Sequence, residues 1–395
     1  MSKPDPVVIV GAARTPLGAF QGELKDFAAA ELGAVAIRAA VERAGLKAED
    51  VQEVIMGCVL PAGQGQAPAR QAGLGAGLPL STGCTTVNKM CGSGMKAAMF
   101  ANDLVLAGTN DIMVAGGMES MTNAPYLLPK ARAGYRMGHQ QVLDHMFLDG
   151  LEDAYDKGRL MGTFAEDCAA KYSFSRAEQD AFAIASLQRA QKANNEEWFA
   201  WETVAVSLKS GKGDRFVDKD EPPFKANFEK IPQLKPAFKK DGTVTAANSS
   251  SISDGAAALV LTRRSVAEQR GLTPLATVVA HTTHAQEPGW FTTAPVAAIR
   301  KLYDKTGWSA SDVDLYEINE AFAVVAMAAI KEHRLPHEKV NVHGGACALG
   351  HPIGASGARI LVTLLGALRK YGLKRGVASL CIGGGEATAM AVELI

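Results

Sequence analysis

Two strand-like segments, each with an acidic residue near its C-terminal end, decide the fold. The first is DIMVAGGMES, from Asp111 to Ser120, and the second is VASLCIGGGEAT, from Val377 to Thr388. Each is a β-rich run that meets glycines and then Glu119 or Glu386. Gly-rich turns that feed helices, CGSGMKAA and GHPIGASGARI, precede the two segments at similar distances. This repetition predicts two similar α/β halves, with chance resemblance between two ordinary strand ends as the alternative.

Strands and helices alternate on both sides of a long interruption. The pattern predicts an α/β layered core from strand signals such as Val7–Val10 and Asp314–Ile318 and helix signals such as Phe27–Ala44 and Ala294–Thr306. From about residue 121 the alternation fades into helices and Lys- and Pro-rich loops. We therefore predict an N-terminal half from residues 1–120 plus 251–273, an inserted loop domain at 121–250, and a C-terminal half at 274–395.

Composition excludes several classes of protein. Of 395 residues 47% are apolar, and 41 basic side chains balance 41 acidic ones, so neither disorder nor a polyanion such as nucleic acid is expected. The longest apolar run, Ala321–Ile330, is about half of a membrane span. Six cysteines without a C-x-x-C pair, and an N-terminus without export features, predict a cytoplasmic protein in a reducing compartment.

Cys91 is the first candidate for chemistry. In VNKMCGSGMKAAMFA it precedes a helix, where unpaired N–H groups and the helix dipole favour the thiolate. The alternative is a small buried hydrophobe, the usual fate of an intracellular cysteine. The stretch Gly92–Ala97 also matches a dinucleotide fingerprint, although the segment before it is a poor strand, so a nucleotide-dependent oxidoreductase is a weaker hypothesis.

Three further residues sit where strands or loops expose their side chains. His351 lies in a glycine-rich loop and is a candidate general base. Cys381 ends a strand and meets IGGGEA, whose backbone N–H groups suit an oxyanion hole. Asn319 follows another strand and has a helix N-cap as its alternative role.

Taken together, four ordered motifs resemble the thiolase family, of the biosynthetic type. They are VNKMCGSG at Val87–Gly94, NEAFA at Asn319–Ala323, GGACALGHPIGASG at Gly344–Gly357 and CIGGG at Cys381–Gly385. The resemblance spans essentially the whole chain. It implies a duplicated αβαβα five-layer sandwich with an inserted loop domain that binds coenzyme A.

The resemblance also implies a reaction. It is the reversible Claisen condensation of two acetyl-CoA to acetoacetyl-CoA and CoA, an acetyl-CoA C-acetyltransferase activity, or thiolysis of short 3-ketoacyl-CoA. By resemblance, Cys91 carries the acyl group, His351 takes its proton, and Cys381 deprotonates the second substrate. Asn319 holds a water that helps stabilise the enolate, and the backbone N–H of Gly383 serves the tetrahedral oxyanion. The alternative is a broader 3-ketoacyl-CoA thiolase of fatty-acid or branched-chain degradation.

Further expectations follow from the same resemblance. No cofactor is bound permanently, the partners are acyl-CoA substrates rather than nucleic acid or membrane, and the assembly is a homotetramer, a dimer of dimers. Residues expected to contact coenzyme A are Leu151, Met161, Ala237, Phe238, Ala246, Ser250, Ile252 and Phe322. The chain departs from the family where Leu160 replaces a common His and where Phe291 brings an aromatic ring near the acyl pocket.

Two other classes are weighed against this hypothesis. A decarboxylating ketosynthase-like enzyme of the same fold usually has a second His in place of Cys381, which CIGGG does not provide. A lipid or acyl-CoA binding protein without chemistry would not need all four catalytic residues.

Overall fold

The computed structural model describes residues 5–209 and 213–395. Its α-helices are α1 (Ala29–Arg43), α2 (Pro68–Gly75), α3 (Ser93–Leu106), α4 (Met161–Tyr172), α5 (Arg176–Asn195), α6 (Pro222–Lys225), α7 (Arg264–Gln269), α8 (Ala294–Thr306), α9 (Ala323–His333), α10 (Ala346–Leu349) and α11 (Ser356–Tyr371). Its strands are β1 (Val7–Arg14), β2 (Gly18–Ala19), β3 (Glu53–Gly57), β4 (Gly83–Val87), β5 (Ile112–Ser120), β6 (Tyr126–Leu127), β7 (Leu143–Asp144), β8 (Val206–Leu208), β9 (Arg215–Val217), β10 (Ser253–Arg263), β11 (Ala276–Ala285), β12 (Leu315–Ile318), β13 (Arg375–Ile382) and β14 (Glu386–Leu394).

One mixed sheet runs through both halves of the protein. Its order is β12-β13-β14-β11-β1-β10-β5-β3-β4, with the short β2 on β10. The pairs β3–β4, β3–β5 and β12–β13 are parallel, and the remaining pairs are antiparallel. The halves join where β1 meets β11, with Val8 opposite Thr277 and Ile9 opposite Ala276.

The two halves repeat one arrangement. In the first, β1, β10, β5 and β3 lie side by side, and in the second β11, β14, β13 and β12 occupy the same order. The antiparallel pair β13–β14 is joined by the turn at residues 383–385, whereas the equivalent pair β5–β10 is joined by residues 121–252. The predicted duplicated α/β core, with additional chain inserted in its first half, is therefore confirmed. The domain boundaries given above stay a prediction.

The strand at the first acidic motif is longer than predicted. The sequence suggests that Gly116 and Gly117 close it, but β5 continues through both to Ser120. These glycines answer a packing need, because a Cβ at Gly117 would lie 2.8 Å from the Cα of Ala355, and one at Gly116 would lie 2.9 Å from the Cα of Ala258. Of the two similar motifs, the first therefore has its glycines inside a strand, and the second has them in the turn after β13.

Three hydrophobic clusters separate the layers. One lies between α1, α2 and the outer face of the first half, and another between α8, α9 and the outer face of the second half. The third holds α3 and α11 together between the two halves. A Cβ at Gly94 of α3 would lie only 2.7 Å from the backbone nitrogen of Ala358 in α11, so the two helices touch through their backbones. The first and second halves of the sheet count as separate layers here. The five layers are therefore helices, the first half of the sheet, the pair α3 and α11, the second half of the sheet, and helices.

A buried ion-pair network attaches the inserted segment to the sheet. Arg14 of β1 is fully buried, and its Nε donates to Glu202 at 2.5 Å. Its Nη1 and Nη2 donate to the two carboxylate oxygens of Asp220 at 2.7 and 3.0 Å. Both acids belong to the insertion, so removing Arg14 would leave two buried acidic side chains without their cation. None of the described helices is long and apolar enough to cross a bilayer.

His343 occupies an aromatic box beside this network. Its ring is fully buried against Trp198, Phe199 and Tyr371, and neither ring nitrogen has a hydrogen-bond partner among the described residues. Burial, with smaller effects from Lys370 and Arg14, lowers the pKa of His343 from 6.5 to about 4. The folded protein thus holds this imidazole neutral at pH values where the unfolded chain protonates it.

The His343 box predicts a measurable acid sensitivity. Between pH 6.5 and 4 only the unfolded state gains this proton, so stability is retained above 6.5 and falls by up to about 3 kcal/mol as the pH drops. His343→Phe should lose less free energy of unfolding over that interval in urea titrations. His139→Phe, at an exposed position, is the control and should track the wild type. Equal slopes for wild type and His343→Phe would contradict the assignment.

Candidate active site

Cys91 sits on a strained turn ahead of the central helix α3. Strand β4 ends at Val87, Met90 adopts a left-handed conformation with φ +46°, and Gly92 is the N-cap of α3. A left-handed conformation costs a residue with a side chain roughly 1 kcal/mol, and such strain is concentrated at functional sites. The turn places the Cys91 sulfur at the inner end of a cavity.

His351 is held in one tautomer by the first turn of α11. Its Nδ1 lies 2.5 Å from Ser356 Oγ, and that hydroxyl donates to the Pro352 carbonyl at 2.9 Å. Because a hydroxyl has one proton, Ser356 must accept from His351, so Nδ1 carries the hydrogen. The other nitrogen, Nε2, is then a lone-pair acceptor, and it is buried without a partner in the part of the chain that the structure describes. A neutral imidazole with its free lone pair in a cavity is suited to take a proton.

Cys381 is the last inward residue of β13 before the glycine turn. It is fully buried, and the turn that follows has φ +91° at Gly384 and +89° at Gly385, conformations that glycine adopts without strain. The turn leaves the backbone N–H of Gly383 directed at the Cys91 sulfur, where it stabilises negative charge together with the N–H of Cys91 itself. These donors come from both halves of the protein.

The three side chains meet in a single cavity. Its inner section, about 60 Å³, is lined by Cys91, His351, Cys381 and Gly383, with Phe291 on the wall. An outer section of about 200 Å³ adjoins it. Both sections share Leu151, Met161, Ser250, Phe322, His351 and Ile353. The two sections form one apolar cavity, called the tunnel below, with Cys91, Cys381 and Gly383 in its smaller section.

The resting state of the site is uncharged, which corrects the expectation of a thiolate. Burial raises the pKa of the Cys91 thiol to about 11, and the N–H groups of Gly383 and Cys91 offset only part of this. Burial likewise lowers the pKa of His351 to about 3 and raises that of Cys381 well above 9. The helix terminus near Cys91 is therefore outweighed by loss of solvent, and the thiol and the imidazole line the same cavity as neutral groups at pH 7.

Asn319 lies behind the cavity rather than on its wall. It follows β12, is 1% exposed, and is not the N-cap of α9, a position that Phe322 occupies. Its Oδ1 accepts from Arg359 at 3.5 Å, and its Nδ2 is buried without a partner among the described residues. An unpartnered buried amide donor is costly unless a water or a ligand meets it.

Glu119 is a site residue to which the sequence analysis gave no role. Its carboxylate accepts from the N–H groups of Val59 at 2.9 Å, Leu60 at 3.1 Å and Gly354 at 2.8 Å, so it holds the loop that carries His351. Burial raises its pKa to about 7. A carboxyl group at the end of an otherwise apolar buried strand was the available signal, because such a group requires dedicated donors.

The residues expected to contact coenzyme A divide into three groups. Those that line the outer cavity are Leu151, Met161, Phe238, Ser250, Ile252 and Phe322. Ala246 lines an adjoining groove of about 410 Å³, which shares Ser251 and Ile252 with the tunnel and also includes Lys225. Ala237 lines neither cavity, and its backbone N–H donates to the Val244 carbonyl at 2.9 Å.

Comparison with known proteins agrees with this geometry. Residues 7–265 match the model of the thiolase N-terminal domain, and residues 272–394 match that of the thiolase C-terminal domain. The chain belongs to the thiolase family. Acetyl-CoA acetyltransferase 1 of Arabidopsis thaliana is 52% identical to this thiolase over 100% of the chain and 95% of the relative. The acetyl-CoA acetyltransferase of Chromobacterium violaceum is 51% identical over 98% and 99%.

Solved structures share the whole fold of this thiolase. A thiolase of Ascaris suum, crystallised in complex with coenzyme A, superposes with a TM-score of 0.93 at 42% identity, covering 99% of this chain and 100% of that one. The acetyl-CoA acetyltransferase of Syntrophomonas wolfei superposes with a TM-score of 0.96 at 41% identity, with full coverage of both chains.

Across residues 5–209 and 213–395, no group of three His, Cys, Asp or Glu side chains is placed to hold a metal ion.

The Ser356 contact predicts the tautomer of His351. In Ser356→Ala the acceptor of the Nδ1 hydrogen is lost, and the ratio of tautomers should shift about fivefold towards Nε2–H, as expected for one hydrogen bond of about 1 kcal/mol. Nitrogen-15 NMR of histidine-labelled protein measures this ratio directly. Ser356→Thr keeps the hydroxyl and serves as the control. An unchanged His351 spectrum in the alanine variant would show that another group fixes the ring.

Proposed function

We propose that this thiolase is an acetyl-CoA C-acetyltransferase that works through an acyl-Cys91 intermediate. The observation that carries the proposal is the convergence of Cys91, His351 and Cys381 on the smaller section of one tunnel, with two backbone N–H donors at the Cys91 sulfur. Full-length relatives about half identical to the chain are acetyl-CoA acetyltransferases, which favours this function over a broader 3-ketoacyl-CoA thiolase.

The first half-reaction transfers an acetyl group to Cys91. His351 Nε2 takes the thiol proton while the sulfur attacks the thioester carbonyl of acetyl-CoA, so the neutral pair becomes charged only as the new bond forms. The N–H groups of Cys91 and Gly383 donate to the tetrahedral oxyanion. Each such donor is worth about 2.7 to 4 kcal/mol of barrier. The C–S bond to coenzyme A then breaks, and the Cys381 thiol protonates the departing sulfur.

The second half-reaction forms the carbon–carbon bond. The Cys381 thiolate removes a methyl proton from a second acetyl-CoA, and the pKa well above 9 that burial gives this thiol makes its thiolate a strong base. The His351 imidazolium and a water held by Asn319 stabilise the enolate oxygen. The enolate carbon attacks the acyl-Cys91 carbonyl, and the Cys91 sulfur leaves and recovers its proton from His351. The product is acetoacetyl-CoA.

The shape of the cavity supports coenzyme A and a short acyl group as its contents. The apolar outer section suits a pantetheine arm, and the adjoining groove beside Ala246 includes the basic side chain of Lys225 for a phosphate. Lys225 is paired with Glu221 at 2.6 Å, so a phosphate would share it with that carboxylate. Arg215 lines neither cavity and is paired with Glu23 at 2.7 Å. The inner section, closed by Phe291, leaves little room beyond an acetyl group.

The remaining parts of the proposal concern the assembly and the setting. A homotetramer is supported by apolar side chains exposed on the insertion, among them Tyr126, Leu128, Val142 and Tyr155. All six cysteines are free thiols, which favours a reducing compartment such as the cytoplasm. We extend the proposal to a role in short-chain fatty acid metabolism without a resident cofactor, because condensation and cleavage of acyl-CoA need only the groups described above.

The nucleophile is tested by acetyl labelling. Cys91→Ser should not retain radioactive acetyl from acetyl-CoA after denaturation and gel filtration, because a serine hydroxyl beside a neutral imidazole is far less nucleophilic than the thiol. Cys84→Ser, which alters a partly buried cysteine on the edge strand β4, should label like the wild type. Stoichiometric label on Cys91→Ser would reject Cys91 as the acyl carrier.

The carbon base is tested by separating the half-reactions. Cys381→Ser should keep acetyl exchange between acetyl-CoA and labelled CoA within about tenfold of the wild type. It should lose about 10³-fold in condensation, since a positioned base contributes 10²–10⁴-fold. Spectrophotometric assay of acetoacetyl-CoA gives the second rate. Equal losses in both reactions would assign Cys381 a structural role.

A further inference from the structure

The amide of Asn319 is oriented by a single buried cation. Its Oδ1 faces Nη2 of Arg359 at 3.5 Å, and Nδ2 has no partner among the described residues. An amide oxygen and nitrogen have nearly the same shape, so the group that touches one end decides where the other points. A guanidinium has only donors, and it can therefore face only the oxygen.

The other terminal nitrogen of Arg359 contacts β12, the strand that leads to Asn319. Nη1 faces Glu317 Oε2 at 3.4 Å, and Glu317 lies on β12 two residues before Asn319. Arg359 is 1% exposed and projects from the first turn of α11, the same turn that holds His351 through Ser356. One helix thus supports both groups that face the enolate oxygen in the proposed reaction.

We propose that Arg359 is a positioning residue for enolate formation. It holds Oδ1 of Asn319 and so commits Nδ2 to the donor role towards the water that stabilises the enolate. This inference rests on the proposed function. It does not concern acyl transfer to Cys91, whose oxyanion is served by the backbone N–H groups of Cys91 and Gly383.

A purely structural ion pair with Glu317 is the competing explanation. Burial raises the pKa of Glu317 to about 8, with Arg359 opposing that rise, so this carboxyl is largely protonated near neutral pH. Glu202 and Glu320 also favour the charged form of Arg359, so electrostatics alone accounts for a cation in this region. The ion pair with Glu317 does not account for the second guanidinium nitrogen, Nη2, which faces the Asn319 oxygen.

The experiment uses Arg359→Lys, Asn319→Ala and the double variant in the full-length protein. Lysine keeps the positive charge near His351 and Glu317, but one ammonium cannot reproduce a fork whose two nitrogens face two different residues. Arg369→Lys, at an exposed position on the same helix, is the matched control. Two rates are measured for each protein: deuterium incorporation into the methyl group of acetyl-CoA, and acetyl exchange between acetyl-CoA and labelled CoA.

The expected result is a selective loss that depends on Asn319. Arg359→Lys should lose at least about tenfold in deuterium incorporation, part of the 10²–10³-fold of an oxyanion donor, and less than about threefold in acetyl exchange. In the Asn319→Ala background the same substitution should change deuterium incorporation by less than about twofold. Arg369→Lys should match the wild type in both rates.

Other outcomes overturn the inference without touching the proposed function. A loss in Arg359→Lys that persists undiminished in the Asn319→Ala background, or that is equal for both rates, makes Arg359 structural. If Arg359→Lys does not fold, Glu317→Gln supplies the decision, since it keeps an acceptor for Nη1 and leaves Nη2 on Asn319. Deuterium incorporation within about threefold of the wild type supports positioning, and a tenfold loss contradicts it. Absence of acetyl exchange in the wild type would refute the proposed function itself.

Discussion

The crossing of α3 and α11 is the contact on which the rest of the site depends. The two helices occupy the middle layer and touch through glycine backbones, with Gly94 against Ala358 and Gly357 against Met95. The loop before each helix carries one reactive side chain, Cys91 before α3 and His351 before α11. Because the approach is backbone to backbone, the distance between these loops does not depend on the rotamers of intervening side chains. Glu119 accepts a hydrogen bond from the N–H of Gly354 and so holds the loop before α11.

The sequence predicted the architecture, and it singled out the three residues that the structure brings to one cavity, because both leave local signals. Helix Ala294–Thr306 has the limits that its apolar spacing predicts, and Cys91, His351 and Cys381 stand next to glycines that mark unusual backbone. The protonation state of Cys91 left no such signal. The helix terminus is visible in the sequence, whereas the loss of solvent that outweighs it depends on walls contributed by distant segments such as Phe291 and Met161.

Contacts between distant segments explain the other differences. Glycines 116 and 117 read as a strand end, yet they are small because Ala258 and Ala355 lie against them. The role of Glu119 and the link from Arg359 to Asn319 join residues far apart in the chain, which no spacing rule reveals.

Two buried carboxyl groups and the imidazole near the tunnel have pKa values that favour their neutral forms. The pKa of Glu119 is raised to about 7 and that of Glu317 to about 8, while His351 stays unprotonated. A low-polarity chamber of this kind stabilises little charge at rest, and its oriented N–H donors act most strongly on charge that develops during bond formation.

The turn at residues 383–385 and the insertion at 121–252 occupy the same joint of a repeated unit. In one copy that joint is as short as a hairpin allows and supplies a donor to the reacting atoms. In the other copy the joint is the long insertion, which forms most of the wall of the outer cavity. Since the flanking strands are registered by their neighbours in the sheet, the longer connection can gain or lose residues while the reacting atoms stay where they are. Substrate range and bond chemistry can therefore diverge independently in evolution.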